Sequence, residues 1–257
     1  MTDPAKHSRW ALTLALPHEV KAVLGRMKVR ALTRYQGAKF WEGVLGREEI
    51  VLVQTGMAPA KASNSAHFLV DRYPITHLLS SGYCGGLRED LRTGDAVVAT
   101  QVAGSESPME AESSDSDLVA RADRCLEELK IVYHRGRLLT SPKPILKIPE
   151  KQKAYSQSQA IAVDMESHAI LKAVQSSGKK IASITVRFVV DAAQEELVDT
   201  EAFLDENSQV RPFKLAQEIL RRPKILLDLP ALDRKASQAR ANMARFFQGF
   251  FGVDEHR

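Results

Sequence analysis

The sequence predicts an α/β domain three layers deep, with a mixed sheet buried between helices and a helical extension at the C terminus. Three observations carry this expectation. Short β-branched runs alternate with helix-spaced stretches from Trp10 to Asp191. The chain has 257 residues, 44% hydrophobic and 26% charged, enough for one self-sufficient core. Beyond residue 208 the character turns basic and helical. Residues 1–208 are therefore read as the main domain, and 209–257 as a basic helical extension of it.

The elements follow in order. Trp10–Leu16 reads as a buried first strand. His18–Met27 carries Val20, Val23, Leu24 and Met27 at helical spacing. Lys39–Leu45 and Ile50–Thr55 read as a strand pair around Gly46-Arg47-Glu48. After Gly56, Ala58–Val70 is rich in small helix formers. Ile75–Ser81 is an apolar strand ending in a turn, Gly82-Tyr83-Cys84-Gly85-Gly86. Asp95–Val102 is strand-like. Ser105–Asp117 is acidic and serine-rich and reads as a mobile surface loop. Leu118–Leu129 is an amphipathic helix. Ile131–Thr140 and Ala160–Met165 are strands, Glu166–Gln175 a helix, and Ile181–Val190 a long β-branched strand running into Asp191. Pro212–Arg222 and Ala231–Phe251 read as two further helices, separated by Pro223 and Pro230.

Composition narrows the function classes. Two distant cysteines, Cys84 and Cys125, read as reduced thiols of a cytoplasmic protein. The apolar run after the polar start is too short for a signal peptide core, and no run approaches a membrane span. The seven histidines show no ligand spacing, so no metal is expected. Net charge is +4, yet Gln209–Phe251 alone holds nine Lys/Arg against three acids. Such an excess reads as a solvated helix face or as a contact for an anionic membrane surface. No basic-aromatic motif set outside this tail speaks for nucleic-acid binding.

In α/β folds ligands bind at the carboxyl ends of strands. Three places put chemistry there. At Gly82–Gly86, glycines let backbone N–H groups approach a ligand, or simply make a turn. At Ala160-Ile-Ala-Val-Asp-Met-Glu166, a carboxylate follows a β-run. Glu166 can accept hydrogen bonds from two adjacent hydroxyls, or sit in a first helical turn facing the macrodipole. At Val186-Arg-Phe-Val-Val-Asp191, an acid ends a buried strand. Desolvation would raise its pKa and make it a proton donor near neutral pH; an N-cap aspartate is the other reading.

Taken together, these segments resemble one family. Gln159-Ala-Ile-Ala-Val-Asp-Met-Glu166 is similar to the Ala-Val-x-Met-Glu signature of the methylthioadenosine/S-adenosylhomocysteine nucleosidases and their nucleoside phosphorylase relatives. Ala15-Leu-Pro-His-Glu-Val20 resembles their first strand-to-helix turn, Gly56-Met-Ala-Pro-Ala-Lys-Ala62 a second turn, Gly82–Leu87 their Gly-rich loop, and Arg187–Asp191 their catalytic strand end. The resemblance spans roughly residues 10–195 and implies the nucleoside phosphorylase-like fold.

It also implies a purine nucleosidase that cleaves an adenosine-type nucleoside without a cofactor. Asp191 matches the general acid for a ring nitrogen, worth ~100- to 10,000-fold when well placed. Glu166 matches the carboxylate on the ribose hydroxyls, and Met165 the residue packed under the sugar. Glu19 matches the glutamate that activates water, and Arg187 an arginine that holds a carboxylate. Tyr83, Cys84, Gly85, Val163 and Ile145 fall among the substrate-binding positions. Arginines that bind phosphate in the phosphorylases are missing from Leu16–Glu19 and Leu78–Ser81, which favours water over phosphate. Arg26, Arg30 and Arg34 remain as cations for a phosphate co-substrate, so a phosphorylase is the alternative. Members of the family form homo-oligomers.

Some positions depart from the pattern. Tyr83 and Val190 stand where serines are usual, and Thr140-Ser-Pro-Lys-Pro-Ile145 lacks the aromatic that stacks on adenine. A non-catalytic nucleoside- or lipid-binding relative is a further alternative. Leu226-Leu-Asp-Leu-Pro-Ala-Leu232 and the basic helix after it resemble the tail of the hopanoid-biosynthesis branch, which implies a lipid-substituted adenosyl substrate. Phe246, Phe247, Phe250 and Phe251 recur at helical spacing beside Arg240 and Arg245. They suit a membrane-surface helix, or a helix packed on the body.

Overall fold

A computed structural model describes residues 8–196 and 225–253. The strands are β1 (Arg9–Leu14), β2 (Lys28–Tyr35), β3 (Ala38–Leu45), β4 (Glu48–Gln54), β5 (His77–Gly86), β6 (Ala96–Gly104), β7 (Ser107–Ser113), β8 (Tyr133–Thr140), β9 (Ala162–Asp164) and β10 (Ala182–Asp191). The helices are α1 (Pro17–Leu24), α2 (Pro59–Arg72), α3 (Ser116–Glu128), α4 (Ile148–Ser158), α5 (Ser167–Ser176) and a C-terminal α6 (Ile225–Phe251).

One mixed sheet runs β10-β6-β8-β9-β5-β1-β4-β3-β2, with β7 on β6. β10 also pairs with β5, so five of these strands close into a small ring. Parallel pairs (β1 with β4 and β5, β5 with β10, β6 with β8) lie at the centre. Alternation along β1 explains the layering. Trp10, Leu12 and Leu14 face one apolar cluster with residues of α1, α3 and α6. Ala11 faces the other, with residues of α2 and α5. The expected three-layer α/β architecture is what the chain adopts.

Several local expectations are corrected. Gly82–Gly86 is no turn but the second half of β5, which keeps pairing with β10 as far as Gly85. Ser105–Asp117 is no loose loop: Ser107–Ser113 forms β7 on the edge of β6, and Asp115 caps α3 by accepting from the N–H groups of Asp117 and Leu118. β2 lacks the burial that signals a strand, because it is an edge strand with exposed Lys28, Arg30 and Arg34. α4 was not anticipated; its polar surface hid a helix that begins at Ile148-Pro149. α6 is one helix that passes through Pro230 instead of starting after it. The helix expected at Pro212–Arg222, and the boundary at 208/209, lie outside the described residues.

Of the two readings of the tail phenylalanines, packing on the body is the one the structure shows. Phe246, Phe247, Phe250 and Phe251 are no more than 2% exposed. They pack against Trp10 and Phe188, with the Arg121 guanidinium 4.4 Å from the Phe250 ring centroid. Their apolar area is spent on the core, so these phenylalanines cannot enter a bilayer. Among the described residues, no helix is long and apolar enough to cross a membrane.

Candidate active site

Strand ends build the site. β1 leaves the sheet at Leu14, and Pro17 starts α1 two residues past Ala15. Glu19, in the first turn, folds back so that Oε2 accepts from the N–H groups of Ala15 (3.0 Å) and Leu16 (2.8 Å). Its Oε1 accepts from the Tyr83 N–H at 3.1 Å. Three backbone donors thus fix a carboxylate that is only 1% exposed. Burial pushes its pKa up, against those hydrogen bonds and the Arg187 charge. Gly82 makes this approach feasible. Its φ is +131°, and a Cβ there would lie 2.8 Å from Glu19 Oε1 and 2.6 Å from Arg187 Nη1.

Arg187 projects from β10 into the interior. It donates to Asp164 Oδ2 (2.7 Å), the Ser81 carbonyl (2.7 Å) and Ser167 Oγ (2.8 Å). Asp164, at the end of β9, also accepts from Thr140 Oγ1 at 2.6 Å and from the Ser167 N–H at 3.1 Å. Glu166 follows as the N-cap of α5. Its Oε1 accepts from the Ala58 N–H at 3.3 Å. Ala58 has φ +92°, a strained value for a residue with a Cβ, held at the point where its N–H meets this carboxylate. Burial, then Asp164, raise the Glu166 pKa to about 8; Arg187 opposes them.

Asp191 ends β10 and is 2% exposed. Gly85, its register partner, leaves room for the carboxylate: a Cβ there would lie 3.1 Å from Asp191 Oδ2. The sequence alone suggests an acid raised by desolvation. The structure adds a fully buried Lys151 from α4, whose ammonium contacts Asp191 Oδ2 and works against that burial.

All ten site residues expected from the sequence line one cavity of about 170 Å³: Glu19, Tyr83, Cys84, Gly85, Ile145, Val163, Met165, Glu166, Arg187 and Asp191. Four acids, Glu19, Asp164, Glu166 and Asp191, line it together with the apolar Leu16, Met57, Pro144, Ile145 and Leu146. Tyr83 stacks on His18 at 5.4 Å, and its buried hydroxyl has no partner among the described residues. Burial, then Glu19, raise the phenol pKa. Cys84 is also buried, and burial raises its thiol. Arg26, Arg30 and Arg34 do not line the cavity; Arg30 pairs with Glu49 on the surface at 2.9 Å. Asp164 and Lys151 were not singled out from the sequence. Asp164 sat within the signature at its variable position. Lys151 lies in a helix that looked like a solvated surface, and no local signal marked it.

Among the described residues, no group of three or more His, Cys, Asp or Glu side chains is placed to hold a metal ion. The cavity instead gathers the carboxyl groups of Glu19, Asp164, Glu166 and Asp191.

Comparison with known proteins gives a consistent picture. Residues 9–221 match the family described as "Phosphorylase superfamily". A 5'-methylthioadenosine/S-adenosylhomocysteine nucleosidase of Bacillus cytotoxicus is 23% identical over 215 residues, 77% of this chain and 92% of the relative. Among solved structures, the same kind of nucleosidase from Colwellia psychrerythraea, in complex with adenine, superposes with TM-score 0.75 at 20% identity, covering 96% of each chain. Futalosine hydrolase of Helicobacter pylori superposes with TM-score 0.73 at 17% identity, covering 95% of this chain and 97% of that one.

Proposed function

The chain belongs to the phosphorylase superfamily, and from that premise we propose that it hydrolyses the N-glycosidic bond of a purine nucleoside. The observation that carries this reading is the placing of Glu19, Glu166 and Asp191 around one sugar-sized cavity. Cleavage leaves positive charge on the ribose and negative charge on the departing base. Glu166 accepts hydrogen bonds from the ribose hydroxyls, and its charge favours the cationic sugar. Hydroxyl donors would stabilise the ionised carboxylate against its burial. Asp191 gives a proton to the base. Glu19, held by three N–H groups, orients and deprotonates water. Met165 packs beneath the sugar.

Hydrolysis fits the cavity better than phosphorolysis. Arg187 is committed to Asp164, Ser81 and Ser167, and the other lining cation, Lys143, is exposed. A dianion would meet four buried acidic side chains there, Glu19, Asp164, Glu166 and Asp191. The finer substrate reading is an adenosine-type nucleoside with an apolar group on its 5′ carbon. Leu16, Met57, Pro144, Ile145 and Leu146 support this, since an apolar lining suits an apolar substituent. A lipid substituent, as the tail sequence implies, is its extreme case.

A panel of purine nucleosides, with free base measured with and without phosphate, tests the proposal. Base release that does not depend on phosphate is expected. Release that requires phosphate would turn the reading to a phosphorylase.

A further inference from the structure

Lys151 is 0% exposed and projects from α4 behind the end of β10. Its Nζ donates to three acceptors: Asp191 Oδ2, the Ala192 carbonyl (2.8 Å) and the Glu195 carbonyl (2.8 Å). An ammonium has three N–H donors and no lone pair, so three acceptors match its charged form. A buried ammonium without partners would be costly, and Asp191 Oδ2 with the two carbonyl oxygens offsets that cost. This arrangement differs from an ordinary structural ion pair in one respect. Asp191 also lines the cavity, beside Cys84, Gly85 and Val190.

Glu19, Asp164 and Glu166 also line the cavity, with Arg187 paired to Asp164; in the nucleosidase reading they serve the sugar and Asp191 the base. Lys151 supplies a positive charge beside Asp191. Glycosidic cleavage moves electrons from sugar to base, so a cation beside the acid that serves the base favours the separated charges.

We infer that Lys151 is a positioning residue for Asp191, aiming its carboxyl into the cavity and stabilising the carboxylate that remains once the proton has passed to the base. The inference rests on the nucleosidase reading. In the step, the bond from Asp191 oxygen to hydrogen breaks, and the hydrogen bonds to a ring nitrogen of the base. The glycosidic electron pair goes to the base. Lys151 keeps its own protons and neutralises the new carboxylate. A cation there makes Asp191 a stronger acid that is ionised at lower pH.

Among the described residues, Cys84 from β5, Arg187 from β10, Asp164 from β9, Glu19 and Glu166 share the cavity with Asp191, and Glu195 stands close by, its carboxylate accepting the Ala192 N–H at 3.0 Å. These are unchanged when Lys151 alone is replaced, so a shift in the pH profile reports Lys151.

The test compares wild type with Lys151→Met and Lys151→Arg, measuring kcat and KM for base release across pH, with thermal melting as a check on folding. For Lys151→Met the low-pH plateau of kcat is expected to fall roughly tenfold or more, a part of what a placed acid contributes. KM stays within about twofold, and the alkaline limb moves to higher pH. Lys151→Arg restores both features in part. If Lys151→Met does not fold, Lys151→Arg carries the test. Its guanidinium keeps the charge, so an alkaline limb held in place is expected, and a limb moved to higher pH despite the retained cation would overturn the inference. A folded Lys151→Met with wild-type plateau and limb also overturns it while leaving the nucleosidase reading intact. Wild-type protein that releases no base removes both.

Discussion

The Arg187 guanidinium donates to Asp164 Oδ2 at 2.7 Å, and both side chains are almost wholly removed from water. This pair underlies the cavity. Arg187 lowers the pKa of both Glu19 and Glu166 against their burial, so one cation tempers several acids. Replacing it with methionine would leave Asp164 buried without its partner. Breaking a buried pair in this way typically costs about 3–5 kcal/mol. Arg187→Met is expected to lower stability by that order in urea unfolding and to abolish base release. A variant with wild-type stability would show that the pair has no structural role.

Asp191→Asn tests the proposed acid. Turnover should fall by ~100- to 10,000-fold, with KM changed little, because the amide keeps the shape but cannot give up a proton. Initial rates of base release decide this, and full activity in the variant would remove Asp191 from its role.

Glu166 governs a pH dependence of stability. Its folded pKa is raised to about 8 from an ordinary value of 4.5. The folded state therefore holds a proton that the unfolded chain has already lost. The contribution is fully present below about pH 4.5 and is lost as pH rises through about 8. Ligand-free wild type should melt at progressively lower temperature between these values. Glu166→Gln should show a flatter profile over the same range, along with a higher KM. Parallel melting profiles would contradict the assignment.

Gly82→Ala should be among the more damaging small substitutions. The new methyl group would overlap Glu19 Oε1 and Arg187 Nη1, on a backbone with φ +131°. Loss of the fixed Glu19 carboxylate is expected to reduce base release by at least ~10-fold, with destabilisation of about 1–3 kcal/mol from the strained backbone. Unchanged kinetics would mean that Glu19 need not be held where it is.

The C-terminal helix should behave as core. Phe250→Ala is expected to cost about 3–5 kcal/mol in unfolding experiments, because the ring is buried beside Trp10 and Arg121. A neutral effect would detach α6 from the body.

Much of this was legible in the sequence. The long apolar runs gave β1, β5 and β10, and acids placed directly after such runs gave Glu166 and Asp191. Those signals are local, and strand ends gather at one edge of a parallel sheet. What escaped was nonlocal. β2 is exposed along nearly its whole length, so burial leaves no alternating pattern to read. Gly82–Gly86 has the composition of a turn, yet its glycines serve the close approach of Glu19, Arg187 and Asp191 to a strand. The phenylalanines of α6 have the spacing of an amphipathic surface helix, and only the body of the protein shows what covers them. Lys151 belongs to a polar stretch, and its partner lies forty residues away in the chain.

The most direct measurement is a single-turnover reaction in phosphate-free buffer, with wild-type protein in excess over an adenosine carrying an apolar 5′ substituent. The account predicts free adenine and the corresponding ribose, at a rate that added phosphate does not change and that Asp191→Asn slows by ~100-fold or more. No free base from wild type, or base released only when phosphate is added, would contradict it.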